Sequence, residues 1–388
     1  MKITHIQATW LRCPIPTENQ HVTDFGRMQT FDTTLVRIDT DEGVTGYGEA
    51  KGAVGSAAIC APIVSVVHEE LRPLLLGQDP RNITWLWEQM YNGSRAHYVT
   101  EYGRVFPALG RRGLRICAMS AVDIALWDIA GKALNVPSYR LMGGKVRDRV
   151  NAYASGGWAD AAGIGKQLVT TIESSGYRAV KMRVGTADGT VDNSVARVKA
   201  AREAIGPDIK LMADAHGTFD VRSARRFCRG VEDCNLSWFE EPVCVDDPAG
   251  MAEVRASTDI PIALGESLFT RFDFLPFIAA RALDIMQPDP AIVGGITEVL
   301  RIANLGGVHQ LTLAPHLWGG GVLLAAGMQL AAALPNCVTL EYSKGFNPLL
   351  RELVTDPAEV ADGQILISDR PGLGVTVNEE FVEKNAVK

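Results

Sequence analysis

The side chains best suited to acid–base and metal chemistry recur at a nearly constant stride. Asp214, Glu240, Glu266, Asp289, His316 and Glu341 follow one another at steps of 26, 26, 23, 27 and 25 residues, with Lys181 and Arg183 ahead of them. Three carboxylates brought side by side would repel one another severely unless a cation sat among them. Asp214, Glu240 and Glu266 offer hard oxygen donors, and with positions left open for water or substrate such a set suits Mg²⁺. Lys181 and Arg183 flank Met182, so on a strand both point to one face. Neighbouring cations disfavour each other's protonation, which would lower the Lys181 pKa and make it a usable base; the pair would also bind a carboxylate or an enolate. Asp289 can accept from one imidazole nitrogen of His316, which fixes the tautomer and leaves the other nitrogen as a general base near neutral pH. Glu341 could donate, if protonated, to a developing enolate oxygen, or simply orient His316. A divalent metal with a base on one side and cations on the other suits removal of a proton α to a carboxylate.

Each of these residues closes a short apolar run, such as Leu236–Phe239 before Glu240 and Pro261–Leu264 before Gly265-Glu266. Runs of four to seven apolar residues predict buried parallel strands, and a stride near 25 leaves room for one loop and one helix. The repeat is therefore a βα unit of a barrel, whose strand C-termini share one mouth. Strands are expected at 149–155, 179–184, 210–215, 236–241, 261–266, 283–289, 311–315 and 337–342. Helices are expected at 160–175, 191–205, 220–232, 249–256, 271–280, 295–306 and 320–333.

Ahead of the barrel, residues 2–11, 32–40 and 43–48 read as strands, the last two as a hairpin around Asp41-Glu42-Gly43. The polar insert from Pro14 to Thr30, with His21, Asp24 and Arg27, is long enough to be a flap over the site. From about 57 to 134 the pattern is helical, and the stretch from Ile116 to Lys132 shows an apolar side built on Ala118, Ala121, Val122, Ala125, Leu126 and Ile129. Between them, residues 91–113 carry Arg95, His97, Tyr98, Tyr102, Arg104, Arg111 and Arg112, a set suited to an anionic, hydroxylated ligand or to a solvated loop or subunit contact. The tail holds a hairpin at 359–367 and should pack back on the N-terminal part. The division expected is 1–134, 135–345 and 346–388.

A chain of 388 residues exceeds one core and suits a barrel with a smaller domain. Its net charge of −7 and lack of a basic run argue against nucleic acid and anionic membrane as partners. Seven cysteines, an odd number without CxxC spacing, suit reduced thiols. With no apolar leader and no long apolar stretch, a cytoplasmic protein is expected.

As a set, Lys181-x-Arg183, Asp214, Trp238-Phe239-Glu240-Glu241-Pro242, Gly265-Glu266, Gln287-Pro288-Asp289 with Gly294-Gly295, Pro315-His316 and Glu341 resemble the enolase superfamily, mandelate racemase subgroup. The resemblance covers essentially the whole chain. It implies a (β/α)7β TIM-like barrel with an N-terminal α+β capping domain. It also implies one Mg²⁺ per subunit on Asp214, Glu240 and Glu266, a base dyad of His316 and Asp289, and a homo-oligomer. Two departures shape the expected reaction. The racemase pattern has a second lysine where this chain has Arg183, which stays protonated and is a poor proton shuttle. Asp214-Ala215-His216 resembles the Asp-x-His of sugar-acid dehydratases, whose histidine protonates the departing 3-hydroxyl. These features imply an acid-sugar dehydratase acting on a small carboxylate. The alternatives are a racemase, epimerase or lactone cycloisomerase of the subgroup, and a non-catalytic barrel that binds sugar acids.

Overall fold

The computed structural model describes residues 1–20, 22–23, 26–52, 60–105 and 112–388. His21, Asp24 and Arg111 lie outside the described residues. An N-terminal sheet carries β1 (Ile3–Pro14), β4 (Thr30–Thr40) and β5 (Thr45–Ala50) in the order β1-β4-β5, all antiparallel. The insert between β1 and β4 contains a short hairpin, β2 (Val22–Thr23) and β3 (Gly26–Arg27), with Arg27 exposed. β5 begins two residues later than the sequence pattern suggests, because the turn takes up Asp41 to Val44, closed by the Gly43 amide on the Thr40 carbonyl.

The helix Leu114–Ala133 packs on this sheet through a close backbone approach. A Cβ at Gly48 would lie 1.8 Å from the Ala121 carbonyl oxygen, so β5 must carry glycine there. The sequence pattern gives this helix one apolar side, yet Ile116 to Leu126 are buried in unbroken succession. Its opposite face lies against the helix Gly295–Gly307, where Asp123 accepts from the Thr297 amide (2.9 Å) and hydroxyl (2.6 Å). A helix enclosed on both sides is apolar all round.

The barrel follows as β6 (Arg149–Ser155), β7 (Ala179–Arg183), β8 (Lys210–Asp214), β9 (Leu236–Glu240), β10 (Ile262–Leu264), β11 (Ile285–Met286), β12 (Thr312–Leu313) and β13 (Thr339–Ser343). Neighbours from β6 to β12 pair in parallel, Leu313 bridges Cys337, and β13 pairs β6, which brings the order round. A helix lies between each pair of strands, seven in all between β6 and β13 besides short 3₁₀ turns. Tyr153, Met212, Trp238, Ala263 and Ala314 form a packed layer inside the barrel beneath the mouth. β10, β11 and β12 are shorter than expected, and β10 ends where the chain turns at Gly265. At Gly265, φ is +138° and an added Cβ would meet Phe274 at 2.7 Å.

The tail contributes a hairpin, β14 (Val360–Ala361) and β15 (Gln364–Leu366), which adds antiparallel to the lower half of β6. The Val387 amide donates to the Trp10 carbonyl (2.8 Å) on the free edge of β1. Among the described residues, no helix is long and apolar enough to cross a membrane.

Candidate active site

Parallel strands deliver their last side chains to one end, and here that end collects residues spread from position 51 to 341. Lys181, Arg183, Asp214, His216 and His316 line one cleft, together with Ser155, Trp158 and Trp318. Asp214 and Glu240 close β8 and β9, while Glu266, Asp289 and His316 stand just beyond β10, β11 and β12.

The carboxylates form the floor. Glu240 is fully buried and accepts from Lys181 Nζ (2.6 Å), Trp238 Nε1 (3.0 Å) and Gln287 Nε2 (2.7 Å). Burial, only partly offset by Lys181, pushes its pKa up to about 8. Burial likewise lifts Asp214 to about 6 against the pull of Lys181 and Arg183. Glu241 was not singled out in the sequence. It is buried, sits at φ +38°, and burial with Glu266, Asp214 and Glu240 holds it well above the carboxylate range. Glu266 Oε2 is buried and receives no hydrogen bond, although His316 Nε2 lies 3.3 Å away. Four acids this close, each losing hydration and one oxygen left without a donor, suit a divalent cation that takes hard oxygen ligands.

The grouping differs from the sequence-based one in a single respect. Ligand atoms of Asp214, His216 and Glu266 lie within 4.8 Å of one another, while the Glu240 carboxylate is turned toward Lys181, Trp238 and Gln287. His216, just past β8 at φ +42°, puts Nε2 3.0 Å from Asp214 Oδ2 and 4.0 Å from Glu266 Oε1.

Lys181 overturns the expectation of a lowered pKa. Burial does disfavour its charge, but Glu240, Glu341 (3.0 Å) and Asp214 (3.6 Å) outweigh that and hold it well above its usual value. Arg183 is the lesser influence, its Nη1 lying 3.6 Å from Asp214 Oδ1. Glu341 departs from the donor role in the same way. Burial alone would raise it, yet Lys181 and His316 bring it down to about 2, so it is an ionised acceptor. It takes the Leu317 amide (2.9 Å) and Trp318 Nε1 (3.1 Å), which orients the segment after His316.

His316 and Asp289 meet as the spacing implies, Nδ1 to Oδ2 at 2.7 Å, both buried. Burial opposes charge on the imidazole, but Glu266, Glu341 and the Asp289 bond raise its pKa. Burial also opposes charge on Asp289, and Lys51 with His316 overcomes it and lowers its pKa. Lys51, missed in the sequence, stands just after β5 and puts Nζ 2.8 Å from Asp289 Oδ2 and 2.6 Å from the Trp318 carbonyl. Glu49, also missed, accepts from the Gly320 (2.6 Å) and Leu323 (3.0 Å) amides and so caps the helix Gly321–Ala333 from another domain. Neither residue shares the barrel's stride, so no periodic signal could have found them. Among the described residues, the stretch 91–113 contributes nothing to the cleft lining. Arg112 is instead tied to the Phe269 carbonyl, the Thr270 hydroxyl and Asp273.

Residues 6–143 match the mandelate racemase / muconate lactonizing enzyme N-terminal domain, and residues 164–381 match the enolase C-terminal domain-like family. D-galactarolactone cycloisomerase of Agrobacterium fabrum is 33% identical over 98% of this chain and 97% of its own length. Arabinonate dehydratase of Saccharolobus solfataricus is 33% identical over 92% of this chain and 91% of its own. The crystal structure of a racemase from Streptomyces coelicolor A3(2) with bound magnesium matches with a TM-score of 0.86 at 31% identity, covering 99% of this chain and 100% of that one. By sequence, fold and the acids at its barrel mouth, the chain belongs to the enolase superfamily, in its mandelate racemase and muconate lactonizing enzyme branch.

Proposed function

We propose that this protein is a Mg²⁺-dependent dehydratase of an acid sugar, converting an aldonate or aldarate to its 2-keto-3-deoxy acid. The observation that carries this reading is the cleft itself. A buried imidazole backed by a carboxylate faces a buried lysine across a nest of acids. Asp214 and Glu266, joined by Glu240 once its carboxylate turns from Lys181 toward them, would hold one Mg²⁺, which when bound supplies positive charge for the substrate carboxylate and for the enolate.

With Nδ1 committed to Asp289, His316 keeps Nε2 for the C2 proton. Lys181, held cationic by Glu240 and Glu341, serves as an electrostatic partner of the developing charge, and becomes the base only for the opposite C2 configuration. The electron pair left at C2 forms the C2–C3 double bond as the C3–O bond breaks. His216 or His316 gives its proton to the departing hydroxyl, which leaves as water, and the enol becomes the ketone. Trp158 and Trp318 give the cleft an apolar wall. We propose on the same footing that residues 1–134 cap, 135–345 catalyse and 346–388 brace the cap.

The second reading is a cycloisomerase, favoured by the cycloisomerase among the relatives; it would use the same enolate without loss of water. Incubation with Mg²⁺ and a panel of aldonates, aldarates and their lactones separates the two. A semicarbazide-reactive 2-keto product formed from the open acid sugar supports dehydration, and consumption of a lactone while the open acid sugar is left untouched supports cycloisomerisation, since expelling a lactone oxygen from C3 leaves the same enol.

A further inference from the structure

The end of β5 grips the segment after His316 at two points. Glu49 and Lys51 are two residues apart, so their side chains leave the strand on one face. Glu49 takes the Gly320 and Leu323 amides, and Lys51 reaches the Trp318 carbonyl. Lys51 also meets Asp289, whose carboxylate is fully subscribed. Oδ1 accepts from the Ala291 amide at 2.8 Å, and Oδ2 is shared between Lys51 Nζ at 2.8 Å and His316 Nδ1 at 2.7 Å. The Lys51 side chain is 3% exposed and that of Asp289 is 0%. Burying an ammonium and a carboxylate is costly unless each is paired, and removing one partner strands the other.

We propose that Lys51 is a positioning residue of the capping domain, fixing the His316 imidazole through their shared oxygen of Asp289 and through the Trp318 carbonyl. This rests on the reading of His316 as the base. Without Lys51, Asp289 Oδ2 keeps one donor, the Trp318 carbonyl loses a buried one, and the segment from His316 to Trp318 can relax. The base is thereby held from both domains, and its aim depends on how the cap is seated.

The test compares wild type with Lys51→Met, Asp289→Asn and the double variant at one pH, with far-UV circular dichroism as the folding control. The hydrogen-bonded Nδ1 proton of His316 gives a downfield NMR resonance, assigned by its absence in His316→Asn. In Lys51→Met this signal is expected to broaden or vanish. On whichever acid sugar the wild type turns over, kcat is expected to fall about 10²-fold while KM changes little, as misplacement of a reacting group does. Adding Lys51→Met to Asp289→Asn should cost clearly less than Lys51→Met alone, because the part carried through the shared oxygen is already gone and only the part carried through the Trp318 carbonyl remains. If Lys51→Met does not fold, Lys51→Gln, which keeps a donor but no charge, is read in its place. An unchanged resonance with unchanged kcat, or a full additive loss in the Asp289→Asn background, overturns the proposal. A resonance that responds to Lys51→Met in a protein that turns over no acid sugar supports the positioning role and defeats the dehydratase reading instead.

Discussion

Asp289 makes no contact with the open cleft, yet the account assigns His316 its working tautomer through it. Asp289→Asn could donate to Nδ1 and leave Nε2 protonated, so kcat is expected to fall about 10²–10⁴-fold with the fold intact, measured by steady-state kinetics. A loss under about tenfold would deprive the dyad of its role. The site residues carried by the 25-residue stride were legible because each ends a strand of a repeating unit. The protonation of Lys181 was not. Its nearest cation in sequence is Arg183, but Glu240 and Glu341 reach it across the barrel, and strand spacing says nothing about which carboxylate a side chain turns toward. The donor alternative for Glu341 fails for the same reason, which leaves the orienting one.

At the scale of elements, the order and placing of the barrel strands and helices followed the sequence, since a parallel strand buried on both faces is a plain apolar run, though β10, β11 and β12 proved shorter. What the pattern hid was contact made across the chain. The helix Leu114–Ala133 has no polar side because the sheet and the helix Gly295–Gly307 enclose it. The helix Gly321–Ala333 lacks a capping side chain of its own because Glu49 supplies one. Glu49→Ala would strand two buried amides, and a loss of about 1–3 kcal/mol is expected in urea unfolding. A change within about 0.5 kcal/mol would mean that water replaces the carboxylate.

His68 offers a pH test within the N-terminal part. Its Nε2 accepts from the Ala8 amide of β1 (2.9 Å), which requires a neutral ring, and burial with nearby Arg72 lowers its pKa. The unfolded chain therefore takes up this proton at higher pH than the folded one. The contribution is fully present above the ordinary histidine pKa of about 6.5 and is lost as pH falls from there toward the lower folded value. His68→Gln, compared with wild type by urea unfolding between pH 7 and pH 5, should flatten that slope; an equal slope would place the effect elsewhere.

For the molecule as a whole, the nest of acids is a folding liability that a bound cation would remove. Mg²⁺ should raise Tm, a chelator should reverse the rise, and the gain should approach about 2.7 kcal/mol at a hundredfold excess over Kd. Asp214→Asn should abolish the response, whereas an Mg²⁺ shift that survives it would point to another site. The cap matters at this scale as well, since Glu49 and Lys51 join it to the segment that bears and follows His316.

The central claim is that His316 takes the α-proton of an acid sugar. The direct measurement is proton NMR of acid sugars and of products in D₂O, with Mg²⁺, for wild type and His316→Asn. Wild type should lose the C2 proton and form a 2-keto-3-deoxy acid, and His316→Asn should do neither. Retention of the C2 proton throughout turnover, or undiminished turnover by His316→Asn, would contradict it.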